Sequence, residues 1–204
     1  MILVILVLMG MTAAGGLYLK LGRARSIRRL ERDVEDDIRR RLESVAAEVG
    51  GRVAEGPSLR SADGVMMLIA SRAPQSLVVD LVKFTGPVAT PHLLTLLPMR
   101  DAAKAIAHRN LKPVTPVDPS IAATWKVLSS DDGFARAAVT RELIRHLEEL
   151  NRFARVRARV QVAGEAMTIT ALRGLSTPEE LKAFHDGSVA VLGCLRSSLS
   201  GRPA

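Results

Sequence analysis

The sequence predicts an α+β protein: an antiparallel sheet covered by helices, preceded by one N-terminal transmembrane helix and a charged stalk helix. Three observations predict it. Residues Arg155 to Val162 alternate strictly between polar and apolar, and Ala166 to Leu172 alternate again beyond Gly164-Glu165, which reads as a tight hairpin turn. Two further apolar runs, Val65 to Ala70 and Leu77 to Phe84, are joined by a short turn around Pro74 and read as a second antiparallel pair. The helical segments stand apart from these strands rather than alternating with them, which argues against a doubly wound parallel sheet.

The elements follow in order. Met1 to Leu19 contain no charged side chain. As a helix at ~1.5 Å per residue they span about 28 Å, close to the ~30 Å hydrocarbon core of a bilayer. Lys20, Arg23, Arg25, Arg28 and Arg29 follow with no acid among residues 20–29. Positive flanks stay in the cytoplasm, so residues 20–204 are expected there, at a bacterial inner membrane. The alternative is a signal peptide cleaved near Ala13-Ala14-Gly15-Gly16, which would place the chain outside; such peptides carry their positive charge before the apolar run, and here it comes after.

The chain's net charge of +8 needs dividing before it is interpreted. The juxtamembrane cluster holds five of those charges, leaving +3 for residues 30–204. That balance gives little support to a nucleic-acid partner; the five cations suit anionic lipid headgroups, at about 1 kcal/mol each, or serve as a topology signal only. From Ser26 to Val49, Ile27, Leu30, Val34, Ile38, Leu42, Val45 and Val49 form a narrow helical stripe between faces dense in Arg, Asp and Glu. Pairs such as Glu35–Arg39, Asp36–Arg40 and Asp37–Arg41 have the favourable spacing and order. A parallel homodimer would bury the stripe, or its later half, Leu42 to Val49, would pack on the protein's own sheet; the expectation is a mixture, with the first half a stalk and the second half joined to the domain. We divide the chain as anchor 1–19, basic segment and stalk 20–41, domain 42–199 and frayed tail 200–204.

Within the domain, Gly50-Gly51 ends the first helix. Residues 52–63 read as a loop, Gly86-Pro87 as a strand breaker, and His92 to Leu97, closed by Pro98, as a strand. Ala102 to Ala107 allow a short helix, and Pro113, Pro116 and Pro119 suggest an extended connection. Trp125 to Leu128 form a strand and Ser129 to Asp132 a turn with N-cap candidates. A single helix is expected from Gly133 to Phe153. Thr177, Pro178 and Glu180 open the last helix, which runs to about Leu199 with Gly187 as a weak point.

The Gly-Gly after a charged helix, Trp125-Lys126-Val127-Leu128-Ser129-Ser130-Asp131-Asp132, the Leu-rich helix and the two-strand unit with a central Gly together resemble a group of uncharacterised bacterial membrane-anchored proteins, known chiefly as a domain of unknown function. The likeness covers roughly residues 42–198. Members often have two spans where this chain has one. The resemblance implies an inner-membrane setting and an α+β domain, and it brings no activity and no catalytic residues.

No reactive motif emerges. His92, His108, His146 and His185 lack metal-site spacing, and the last two read as surface histidines. Cys194, the single cysteine, excludes a disulfide framework and reads as a small hydrophobe. Asp131-Asp132 reads as a cap. No phosphate loop or nucleophile elbow occurs, and no cofactor is implied. Arg155, Arg157 and Arg159 are expected to share one strand face with Arg152 nearby, a positive row that would meet an acidic partner or simply discourage edge pairing. Only Phe153 lies beside it, too few rings for a stacking platform. The expectation is a membrane-anchored scaffold that recruits a protein partner. Alternatives are a small-ligand sensor, with Met66-Met67 lining its pocket or its core, and an enzyme whose site forms no motif.

Overall fold

The computed structural model describes residues 32–33, 35–73, 76–104, 111–171, 175 and 177–200. The proposed anchor, the cluster Lys20, Arg23, Arg25, Arg28 and Arg29, the start of the stalk, His108 and the tail 201–204 lie outside the described residues. Among those described, no helix is long and apolar enough to cross a membrane. The chain divides into two compact units, Met1–Ile38 and Arg39–Ala204. The described residues of the first are helical, and everything from Arg39 onward belongs to the second.

Helix α1 covers 35–49. Its later half joins the domain: Leu42 and Val45 are fully buried and Ala46 nearly so. Arg39 pairs with Glu43 at 3.0 Å, one turn further along than the expected Glu35. Gly50, at φ 64°, ends the helix in the left-handed conformation, and the Gly51 amide reaches back to the Ala46 carbonyl at 2.9 Å, satisfying an orphan acceptor.

One antiparallel sheet of nine strands then organises the domain, in the order β1-β2-β3-β4-β9-β8-β5-β7-β6. The strands are β1 (Arg52–Ala54), β2 (Ser58–Arg60), β3 (Val65–Ala73), β4 (Ser76–Pro87), β5 (Leu94–Pro98), β6 (Lys112–Val114), β7 (Trp125–Ser129), β8 (Ala158–Ala163) and β9 (Ala166–Ala171). Both edge strands have three residues, which limits pairing with other chains.

Several sequence expectations are corrected. The 52–63 loop contains β1 and β2, a ribbon too short to show periodicity. β4 does end at Gly86-Pro87, but both residues are still within the ladder: Gly86 pairs with Met167 and Pro87 with Ala166. A Cβ on Gly86 would stand 2.5 Å from Leu192, so glycine there admits a helix against the strand. A 3-10 helix, Met99–Lys104, occupies the start of the ambiguous 100–111 stretch. The proline segment holds edge strand β6, where Pro113 is tolerated, and helix α2 (Pro119–Thr124), with Pro119 in its first turn.

The expected helix from Gly133 to Phe153 is two, α3 (Asp132–Ala138) and α4 (Arg141–Phe153). Val139 leaves the helical region, and the Thr140 hydroxyl caps α4 by accepting from the Leu143 amide at 3.2 Å. Asp131 caps α3 through the Phe134 amide at 2.5 Å. Helix α5 (Pro178–Ser200) opens as expected, the Glu180 amide donating to Thr177.

Buried side chains from β3, β4, β9 and β8, including Met66, Leu68, Phe84, Ile169 and Val160, make the core with Leu143, Leu147 and Leu150 of α4 and Phe184, Val191 and Leu192 of α5. Met67 points away from it and is 44% exposed, so the two methionines do not share a pocket wall. Gly187 is a contact point rather than a weak one: a Cβ there would sit 2.9 Å from the Leu150 Cβ, so glycine sets how closely α4 and α5 approach.

Two glycines of α5 thus differ. Gly193 has open space where a methyl group would stand, so Gly193→Ala is expected to stabilise the fold by about 1 kcal/mol through helix propensity. Gly187→Ala gains the same propensity but must push Leu150 aside, at about 1–3 kcal/mol. Thermal melts of the two variants should move in opposite directions.

A pH effect follows from the start of α2. Asp118 accepts from the Ser120 hydroxyl at 2.7 Å and amide at 2.9 Å, and pairs with Arg141. The Ser120 hydroxyl first, then Arg141 and the Ser120 amide, hold its carboxyl down at about 2 from 3.8. Its folded pKa is depressed, so its contribution is present above about pH 4 and disappears as pH falls towards 2. Asp118→Asn keeps a competent cap and should flatten that part of the acid-denaturation profile, read by circular dichroism.

Candidate functional site

The expected arginine row does not form. β8 begins at Ala158, after a turn in which Arg155 takes a left-handed conformation at φ 52° and the Val156 amide bonds back to the Asn151 carbonyl. Arg152 is on the last turn of α4, its guanidinium 4.5 Å above the Phe153 ring. Arg157 reaches Asp101 at 3.4 Å, a carboxylate that is 3% exposed. Of the four, Arg159 alone lies on a strand, its Nε buried. The polar-apolar alternation of 155–157 belongs to a helix end and a turn, where a two-residue period carries no facial meaning.

In place of the row, the packing of α4 on α5 leaves a groove of about 520 Å³, to which Glu48 of the last turn of α1 also contributes. Its floor is apolar: Leu150, Ala183, Gly187 and Ala190. Around them stand Glu48, Glu149, Glu179 and Asp186, with His146 and Lys182. Phe153 lines it too and is 60% exposed. The small side chains follow from the close helix approach at Gly187; the carboxylates follow from the solvent-facing sides of three helices.

Two of these carboxylates, Glu179 and Asp186, are held in their charged form. The Glu179 carboxyl lies below its ordinary range because its own backbone amide and the Thr177 hydroxyl donate to it at the helix start. Partial burial pushes Asp186 up, but hydrogen bonds from Lys182 and His185 outweigh it and leave the carboxyl lowered. Lys182 donates to Asp186 at 2.5 Å and is raised in turn. His146 stands 3.6 Å from Glu149 and 4.0 Å from Glu142.

Beside the groove is a contact that sequence reasoning misassigned. His185 is a core residue, 4% exposed, not a surface one. Its Nδ1 lies 3.2 Å from Asp186, its Nε2 3.0 Å from the Ser61 hydroxyl, and its ring meets Phe84 edge to face. The distances have the sequence of a nucleophile, base and orienting acid. However, the imidazole is sealed beneath α5, and the Ser61 hydroxyl also faces the Gly64 carbonyl at 3.3 Å. The arrangement therefore ties α5 to the β2–β3 turn. Cys194 is half-buried, 3.9 Å from the Thr140 hydroxyl, and burial pushes its thiol up, which disfavours the reactive thiolate. Among the described residues, no three His, Cys, Asp or Glu converge as a metal site would require.

The fold has a known counterpart. It is similar to the crystal structure of the mycobacterial trehalose monomycolate transport factor A, TtfA, with a TM-score of 0.53 at 12% identity, covering 81% of this chain and 96% of that one. At that identity the likeness is one of fold alone. No family model matches the chain, and no curated protein matches its sequence.

The groove was legible only in fragments. Glu149 and Phe153 are four apart on α4, and Glu179, Ala183, Asp186, Gly187 and Ala190 repeat at helical spacing on α5. Nothing local says that these two faces meet. The Ser61 contact tests the reading of His185 as a structural link: Ser61→Ala leaves a buried ring nitrogen short of a partner and should destabilise by about 1–3 kcal/mol in urea titrations.

Proposed function

We propose that this chain is a single-pass membrane-anchored interaction domain, which recruits a protein partner to the cytoplasmic face of a bacterial inner membrane. The observation that carries the reading is the open groove between α4 and α5, an apolar floor flanked by an exposed Phe153 and a ring of charge. Phe is among the aromatic residues enriched at protein interfaces relative to the rest of the surface. Residues 1–19 supply the anchor, and Lys20, Arg23, Arg25, Arg28 and Arg29 fix its orientation and contact anionic headgroups.

One likeness bears on the setting: the fold resembles that of a protein named as a transport factor. An accessory role beside a membrane transport system is therefore the form of recruitment we favour. The dimer through the early stalk is the remaining use for Ile27, Leu30 and Val34.

The test has two parts. A reporter fused after Ala204 should be active in the cytoplasm, and periplasmic activity would remove the compartment. Affinity purification from detergent extracts, with the full chain compared against its residues 1–19 on a carrier, should enrich a partner with the full chain only. Equal recovery from both would end the recruitment reading.

A further inference from the structure

Four carboxylates line the groove against the one ammonium of Lys182, on a chain that carries +8 overall. Glu48, Glu149, Glu179 and Asp186 come from three different helices, so the local charge arises from the tertiary arrangement and is opposite in sign to the chain. The floor between them is made of small residues. Ala183, Gly187 and Ala190 recur along one face of α5, Gly187 already against Leu150 of α4, and their small side chains keep the floor shallow and open. Phe153 gives an exposed aromatic edge at the end of α4, one face of its ring covered by the Arg152 guanidinium.

We infer that the α4–α5 groove binds a Lys/Arg-rich amphipathic helix, of the kind that flanks the membrane spans of a partner protein. The inference rests on the recruitment reading and names the chemistry of the partner. A helix supplying aliphatic side chains at i, i+3, i+4 and i+7 would lay them along the floor, between Ala183 and Phe153. Cations on its flanks would meet Glu149 on one wall and Glu179 and Asp186 on the other. The same rim repels anionic lipid headgroups, so the groove selects a protein segment over the bilayer surface. Membrane proteins present such segments at the cytoplasmic face, because Lys and Arg accumulate in the short loops retained there.

The probe is a fluorescein-labelled helical peptide of about 14 residues, roughly four turns, with leucines at the i, i+3, i+4 and i+7 positions and lysines between them. Its counterpart carries glutamates in place of the lysines. Anisotropy is read against the full-length protein in a neutral detergent, with circular dichroism to verify that each variant folds. The lysine peptide should bind and the glutamate peptide should not. Binding should fall roughly tenfold in Glu149→Lys/Glu179→Lys, as expected for two reversed surface charges. It should fall comparably in Ala183→Phe, which fills the floor without changing charge, and in Phe153→Ser if Ala183→Phe is misfolded. Glu165→Lys, which reverses a charge in a separate cavity beside Pro87 and Arg196, should leave it within about twofold.

Equal weakening by Glu165→Lys, or indifference to both floor variants, would show general charge attraction and overturn the inference. So would tight binding of the glutamate peptide. The two levels separate cleanly. If the groove variants fail to bind peptide yet retain the partner purified with wild type, the groove assignment is wrong and recruitment stands. If wild type enriches no partner over the anchor alone, recruitment itself is wrong.

Discussion

The contact between Gly187 and Leu150 sets the geometry on which the rest of the domain depends. With no side chain at Gly187, α5 lies against α4 at the closest distance the Leu150 Cβ permits. That approach lets Leu143, Leu147 and Leu150 share one buried layer with Phe184, Val191 and Leu192 above the sheet. It also leaves a shallow channel along the outer side of the helix pair, because helices that meet through small residues diverge beyond the contact. The core and the candidate site are thus two sides of one packing decision.

The same helix pair carries the domain's polar economy. His185 faces inward and is satisfied by Ser61 and Asp186, while Lys182 and Asp186, on the next turns, face outward into the groove. One helix therefore places a buried imidazole and an exposed ion pair within five residues. A substitution at Asp186 touches both, since its carboxylate meets the imidazole on one side and the ammonium on the other. The groove rim is consequently built on a rigid element, and its carboxylates stand where α5 holds them rather than on a loop.

Much of the architecture was legible in the residues. The β8–β9 hairpin shows its period of two over six residues on each side, and Gly164, at φ 60°, occupies the turn position where a side chain is costly. The caps at Asp131 and Thr177 were readable because a cap needs only its own side chain and an amide three residues on. The strands β1, β2 and β6 escaped notice because three residues contain too little alternation to distinguish a strand from a loop. Thr140 was read as the interior of one helix although it opens a second, since a β-branched residue with a hydroxyl suits either role until its side chain turns to the Leu143 amide.

By itself the sequence determined the elements that depend on neighbours in the chain: the alternating hairpin, the capped helix starts, the apolar stripe through Leu42 and Val45, and the antiparallel class of the sheet. Tertiary structure alone decided which faces meet. It separated Arg155 and Arg157 from the strand on which Arg159 lies, sent Arg157 to Asp101, buried His185 and turned Met67 outward. It also gathered Glu48, Glu149, Glu179 and Asp186 around one groove. The physical reason is distance along the chain. Periodicity and capping act over a few residues, whereas a surface made from three helices depends on contacts between positions as far apart as Glu48 and Asp186.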